Sequence, residues 1–341
     1  MRRISLHQEA SSNLPLAGFN EDSPFLPTFE KKVLEEGIVI KSTGSRYTVK
    51  TSDGNIVHCG IRGKFRIKGI RATNPVAVGD KVRFERTKDG ETATIVSIGT
   101  RSNYIIRRSS NLSKEYQLLA CNIDLAWLMV SIVSPRTSTA FIDRFLVSAE
   151  AYRITVILLF NKIDLYGEDE MRELEELEHD YARVGYRTLR LSLQSKEGLE
   201  LVRQKMIGKT NVVAGNSGVG KSTLVNVLDP SFRLKTGHIS EAHQTGKHTT
   251  TFAEMFELEV GIRIIDTPGI RGFGTIDIER SELFHFFPEI FRASSKCKYH
   301  NCIHLNEPGC MVKQEVDAGN ISESRYVNYL MMLEEEDGKY R

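Results

Sequence analysis

The stretch GNSGVGKST, Gly215 to Thr223, decides how this chain is read. It follows a short apolar run, NVVAG, and opens a run with helical spacing, KSTLVNVL. A phosphate-binding loop needs that setting. Glycines let backbone amides curl around phosphates, Lys221 neutralises β- and γ-phosphate charge, and Ser222 ligates Mg²⁺. The whole loop, Gly215, Asn216, Ser217, Gly218, Val219, Gly220, Lys221, Ser222 and Thr223, is therefore expected to cradle phosphate, with a plain glycine-rich turn as the bland alternative.

Toward the N-terminus, NKID (Asn161 to Asp164) comes directly after the apolar run TVILLF. That places Asn161, Lys162 and Asp164 at the carboxyl edge of a sheet, where nucleotides bind in such folds. A carboxylate there accepts from both N1–H and the exocyclic amine of guanine. Adenine offers no such pair, so the reading is GTP over ATP. RTLRLSL then leads into SLQSKEGL, whose Ser192, Gln194, Ser195 and Lys196 are expected on the other side of the base. Toward the C-terminus, DTPG follows IRII, and Asp266 and Gly269 are expected beside the γ-phosphate. The base-reading motif thus precedes the phosphate loop, the reverse of an ordinary GTPase. A circular permutation accounts for the order, since a new break is tolerated where it falls in an exposed loop. Its consequence is that DTPG leads straight into the C-terminal region.

Around these motifs the texture is strand and helix in alternation, the mark of a mostly parallel sheet. IDLAWLMVSI, TVILLF, RTLRLSL, NVVAG and IRIIDT read as buried strands; AFIDRFLVSAEAY, EDEMRELEELEHDYARV and GLELVRQKM read as helices. Before them, Gly37 to about Thr100 reads as five short strands, GIVIKS, SRYTVKT, NIVHCG, DKVRFER and ETATIVSI. Asp53-Gly54 and Asp89-Gly90 fall between such runs and favour tight type I′ hairpins. Five strands in a segment this short suggest an OB-fold barrel. An SH3-like barrel or plain sandwich acting as a spacer is the alternative. RSNYIIRRSSNLSKEY then reads as a linker.

The net charge of +2 conceals an asymmetry. Residues 37–110 hold 15 Lys and Arg against 5 Asp and Glu, so the remainder of the chain is acidic. Such a block points to a polyanion partner such as nucleic acid, with Arg62, Lys64, Arg66 and Lys68 as the expected contacts; a solvated face is the alternative. Near the other end, Cys297, Cys302, His304 and Cys310 form a C-x4-C-x-H-x5-C arrangement. Three thiolates and an imidazole complete a tetrahedral structural zinc shell, with His300 a possible competing ligand. Only Cys59 and Cys121 lie elsewhere.

A chain of 341 residues, 40% hydrophobic and 26% charged, is long enough for several cores. The run IDLAWLMVSIV is too short to span a bilayer, and the N-terminus lacks the apolar stretch of a secretory signal. The expectation is a cytoplasmic protein without a membrane partner.

These motifs together resemble the circularly permuted bacterial GTPases that depend on the small ribosomal subunit, the RsgA, YjeQ or YloQ family. The likeness runs from about Gly37 to the last helix through the basic barrel, the order NKID, SLQSKEGL, GNSGVGKST, GKHTTT, DTPG, and the cysteine and histidine cluster. It implies a monomeric GTPase, cycling between GTP and GDP with Mg²⁺ and carrying one structural Zn²⁺. It also implies binding to the small subunit and its rRNA late in assembly, with turnover stimulated by that subunit. The expected division is an extended or disordered segment over 1–36, an OB-fold RNA-binding domain over 37–104, a permuted GTPase domain over 105–275, and a helical zinc domain over 276–341.

Many GTPases follow the DTPG-type glycine with a glutamine that orients water. Here the residue is Ile270, which cannot. His248 of GKHTTT is the candidate for that duty, as the family's solution implies, or it only supports the switch. Thr250, or else Thr249, would join Ser222 on Mg²⁺, with Asp266 acting through water. A GTP-dependent RNA-binding module or chaperone with incidental hydrolysis is the competing function. A metabolic P-loop kinase needs neither NKID nor a basic barrel.

Overall fold

Alternating burial closes the N-terminal strands on themselves. A computed structural model describes residues 34–61, 75–87, 92–108, 116–231, 253–258, 261–266 and 278–335. β1 (Glu35–Ser42), β2 (Tyr47–Thr51), β3 (Ile56–Ile61), β4 (Lys81–Arg86) and β5 (Ala93–Ile98) follow one another. They pair in the order β1-β2-β3-β5-β4, and β4 returns to β1. β3 and β5 run parallel; the other barrel pairs are antiparallel. In β2, Tyr47, Val49 and Thr51 point inward while their neighbours do not, the two-residue period of a strand with one dry face. Val39, Val57, Phe84 and Ile95 complete that core. The result is a closed five-stranded OB-type barrel.

Two readings change. Asp53-Gly54 does not make a two-residue hairpin: the Gly54 amide bonds the Thr51 carbonyl at 3.0 Å and Thr51 bonds Asn55, leaving a four-residue connection. Only Gly54 takes positive φ, whereas a type I′ turn needs two such residues. Asp89-Gly90 lies outside the described residues. The supposed linker contains β6 (Tyr104–Arg108) and β7 (Tyr116–Cys121), an antiparallel pair. Buried Ile105, Leu118 and Ala120 fix it, and Val78 of the barrel bridges to Ala120. The polar middle, SSNLSK, hid apolar flanks that pair with each other.

Beyond the hairpin come β8 (Leu125–Val130), α1 (Thr139–Tyr152), β9 (Val156–Asn161), α2 (Glu168–Val184), β10 (Arg187–Leu191), α3 (Leu199–Met206), β11 (Thr210–Gly215) and α4 (Lys221–Leu228), then β12 (Glu254–Glu257) and β13 (Arg263–Asp266). Across the sheet the order is β10-β9-β8-β11-β13-β12. All neighbours are parallel except β12 against β13. β8 is buried along its whole length because both faces are covered. Ala126, Leu128 and Val130 pack with α1 and α2; Leu125, Trp127 and Met129 pack with α3 and α4. If counting starts at β11, the strand before the phosphate loop, the sheet reads 2-3-1-4-5-6, a doubly wound order with its switch point between β11 and β8. The permutation is therefore visible in the sheet itself. β12 was missed in the sequence: it is four residues long and carries Glu at both ends.

β12 also pairs with β1 at Lys41 and Glu254, so barrel and GTPase sheet form one eleven-stranded system. At the other end of the chain, a 3-10 turn (Leu283–Phe286), α5 (Pro288–Ser294), α6 (Met311–Asp317) and α7 (Glu323–Glu335) build a helical domain. Val147 of α1 belongs to its apolar core. No helix among the described residues is long and apolar enough to cross a membrane.

Candidate nucleotide and zinc sites

The phosphate loop leaves β11 at Gly215 and enters α4 at Lys221. Gly215 has φ of 138°, and a Cβ there would fall 2.5 Å from the Met129 carbonyl oxygen. At Gly220, φ is 113° and a Cβ would meet Asn161 Nδ2 at 2.5 Å. Both glycines are thus required by φ and by close approach. The Lys221 ammonium reaches back to the carbonyls of Gly215 (2.9 Å) and Asn216 (2.7 Å), which holds it across the loop mouth. Val219 is buried, Asn216, Gly220 and Ser222 are partly exposed, and Ser217, Gly218 and Thr223 face solvent.

The NKID segment sits against this loop. Asn161, the last residue of β9, donates from Nδ2 to the Val219 carbonyl at 2.8 Å. Its buried Oδ1 has no hydrogen-bond partner among the described residues. Lys162 adopts φ of 68° and its ammonium bonds the Ser134 carbonyl. Asp164 lies exposed in the short 3-10 turn Ile163–Leu165. On the neighbouring loop, buried Ser192 accepts at Oγ from the Ser195 amide at 3.0 Å. Gln194, Ser195 and Lys196 are exposed, and Lys196 has φ of 65°. Leu193 lies within 3.2 Å of where a Gly220 Cβ would be, so this loop reaches the phosphate loop too. The structure brings the three segments together at the carboxyl ends of β9, β10 and β11. Asp266 ends β13, the strand beside β11. Gly269, His248, Thr249, Thr250 and Ile270 lie outside the described residues.

In the helical domain, the donor atoms of Cys297, Cys302, His304 and Cys310 all lie within 4.8 Å of one another. His304 Nδ1 is 3.6, 3.3 and 3.5 Å from the three sulfurs in that order. With Zn–S of about 2.3 Å and Zn–N of about 2.0 Å, tetrahedral neighbours stand roughly 3.5 Å apart, so the four donors fit one zinc ion. None of the three cysteines is in a disulfide. His304 takes φ of 62°, held by Tyr326, whose hydroxyl donates to its carbonyl at 2.7 Å. Burial pushes the Glu307 carboxyl up, but amides of Ile303, Leu305 and Asn306 donate to it and leave it below the ordinary range. That carboxylate shapes the knuckle between ligands. His300 is exposed and outside the cluster.

A buried charge network, missed in the sequence, fastens this domain to the GTPase sheet. Arg325 of α7 donates to Glu289 Oε1 of α5 at 2.5 Å and pairs with Asp143 of α1. Asn328 Nδ2 donates to the other Asp143 oxygen at 2.6 Å, and the Tyr181 hydroxyl to Asp143 at 3.1 Å. Tyr181, Tyr186 and Phe287 present rings to the guanidinium at 5.3 to 5.8 Å. Burial outweighs the pull of the Arg325 guanidinium and leaves the Asp143 carboxyl raised to about 6. No spacing rule links residue 143 to residue 325.

The barrel's described cations are largely committed. Lys41 pairs with Glu254, Lys50 with Glu257, Arg83 with Glu36, Arg86 with Glu35 and Arg101 with Asp80. Arg62, Lys64, Arg66 and Lys68, the expected RNA contacts, lie outside the described residues.

The RsgA GTPase family matches residues 98–276, and the RsgA N-terminal domain matches residues 36–95. The chain belongs to the RsgA GTPase family. A relative from Bacteroides fragilis, described as a small ribosomal subunit biogenesis GTPase RsgA, is 54% identical over 307 residues, covering 90% of this chain and 99% of its own. The crystal structure of YjeQ from Thermotoga maritima superposes with a TM-score of 0.74 at 33% identity, covering 90% of this chain and 100% of that one. The crystal structure of YloQ, described as a circularly permuted GTPase, gives 0.69 at 30%, covering 93% and 100%. As an RsgA-family enzyme the chain hydrolyses GTP, and the family implies Mg²⁺ bound with the nucleotide.

Proposed function

We propose that this chain acts in biogenesis of the small ribosomal subunit in the cytoplasm, as a monomer that binds the subunit and its rRNA and hydrolyses GTP to GDP and phosphate. The supporting observation is the junction of Asn161 with Val219, which seats a guanine-reading motif on a phosphate loop in a chain so similar to small-subunit biogenesis GTPases. In this reading Asp164 accepts from the guanine edge, and Asn161, Lys162 and Ser192 to Lys196 enclose the base. Gly215 to Thr223 hold the phosphates, Lys221 neutralises their charge, and Ser222 and Thr250 ligate Mg²⁺. Asp266 and Gly269 sense the γ-phosphate, and His248 orients water where Ile270 cannot. When bound there, Mg²⁺ would supply charge neutralisation at the phosphates.

The basic barrel supplies rRNA contact through Arg62, Lys64, Arg66 and Lys68. Changing all four to Glu should leave basal hydrolysis intact and reduce subunit-stimulated hydrolysis at limiting subunit. It should also flatten the salt dependence of binding, by about one unit of slope for each phosphate left without its cation. The measurement is GTPase rate against purified small subunits at two salt concentrations. Matching wild-type and variant curves would remove the barrel from the interface; absence of any stimulation in the wild type would sink the function.

A further inference from the structure

The loop Ser131–Thr137 after β8 forms a third wall beside the two nucleotide loops. Its Pro135 ring faces Gly218 of the phosphate loop, within 3.7 Å of where a Gly218 Cβ would stand. Its Ser134 carbonyl accepts from the Lys162 ammonium. The loop is itself braced, with the Ser131 amide donating to Thr137 Oγ1 at 3.2 Å and Ser131 Oγ to the Val133 carbonyl at 2.5 Å. One side chain joins this wall to the base-reading turn. The Ile132 amide donates to the Tyr166 hydroxyl at 3.0 Å, and that hydroxyl donates to the Asn161 carbonyl at 2.9 Å.

Tyr166 also closes the turn through its backbone. Its amide bonds the Ile163 carbonyl at 3.2 Å, next to the Leu165 amide on the Lys162 carbonyl at 2.9 Å. The turn carrying Asp164 is therefore held at its end by the Tyr166 amide and at its base by the Tyr166 hydroxyl. The Asp164 side chain is exposed in that turn, so its placement depends on the backbone that carries it.

We infer that Tyr166 is a positioning residue for guanine selection: its hydroxyl locks the Asn161–Asp164 turn to the Ser131–Thr137 wall and so sets where the Asp164 carboxylate meets the exocyclic amine. The inference rests on the reading of Asp164 given under the proposed function. Tyr166→Phe keeps the ring but leaves the Ile132 N–H and the Asn161 carbonyl without their shared partner, which frees the turn to shift.

The test is the ratio of GTP to ITP affinity, because ITP lacks only the amine that Asp164 is to read. Both nucleotides are made to displace a fluorescent GDP analogue from one and the same full-length sample, so the ratio does not depend on how much of the variant is folded. The wild type should prefer GTP, and Tyr166→Phe should reduce that preference by about fivefold, the worth of one hydrogen bond. A general loss of stability would weaken both nucleotides alike and leave the ratio unmoved. A wild-type preference retained in Tyr166→Phe overturns the positioning role alone. Equal affinity for GTP and ITP in the wild type, or an Asp164→Asn variant that gains no affinity for xanthosine triphosphate, overturns the base-reading assignment and this role with it.

Discussion

Two modules adjoin the GTPase sheet, and the main charged pairs that join them to it differ in burial. The helical zinc domain meets α1 and α2 through Arg325, whose side chain is 2% exposed, against Asp143 at 0%. The barrel meets β12 through one strand pairing and two ion pairs, Lys41–Glu254 and Lys50–Glu257, each open to water by roughly a third or more. A buried pair cannot be broken without stranding charge in a dry interior, whereas an exposed pair exchanges one hydrated partner for another. The zinc domain is therefore a fixed extension of α1. The barrel's two ion pairs with β12, the strand next to the one ending in Asp266, contribute little by comparison.

The largest expected effect attacks the fixed module from within. Cys302→Ala removes one of four donors, and structural zinc binding is worth about 10 kcal/mol or more in small zinc modules. Zinc should be lost and α5 to α7 should lose protection from amide exchange. Nucleotide affinity should be largely retained, because α4 packs on the opposite sheet face, with Trp127 and Met129. Stoichiometric zinc in the variant would take Cys302 out of the ligand set.

Next comes the weld itself. Arg325→Met strands the carboxylates of Asp143 and Glu289, one of whose oxygens already has no partner among the described residues. Leaving buried charge unpaired costs about 3–5 kcal/mol, read as lower urea resistance and faster amide exchange in α7. Adding Asp143→Asn and Glu289→Gln should recover part of the loss, since no charge then remains to be stranded. A single-variant cost under about 1 kcal/mol would make the two joints alike and end the comparison.

The sequence made one side of this comparison far more legible than the other. The zinc cluster, the GNSGVGKST loop and the NKID segment are each local patterns, residue types at fixed spacing within one short stretch of chain. The barrel strands were legible for a related reason, since the alternation through Tyr47, Val49 and Thr51 states which face is dry. The Asp143–Arg325 pair and the Tyr166 bridge to Ile132 are tertiary. In the chain Asp143 is one of several polar residues in its helix, with Arg144, Ser148 and Glu150 close by, and nothing nearby announces a cation contributed by α7. The β6–β7 hairpin was lost because its polar middle outweighed its apolar ends. β12 was lost because four residues flanked by glutamates carry too little periodicity to register.

The smallest expected effect is at the barrel joint. Lys41→Ala with Lys50→Ala removes both ion pairs but leaves the backbone pairing of residue 41 with Glu254. It also leaves two anchors elsewhere: the Val78–Ala120 bridge, and Arg101, which donates to Asp80 at 2.6 Å while Cys121 Sγ approaches the same carboxylate at 3.1 Å. Exposed pairs contribute about 0.2–1 kcal/mol each, and salt shortens their reach to roughly 3 Å at 1 M. The double variant should therefore lose no more than about 1–2 kcal/mol in urea unfolding at low salt. That difference should shrink toward zero at about 1 M salt. A loss that persists undiminished at high salt would mean that these lysines act through packing of their stems against the strand edge, and the barrel joint would then be as fixed as the zinc domain's.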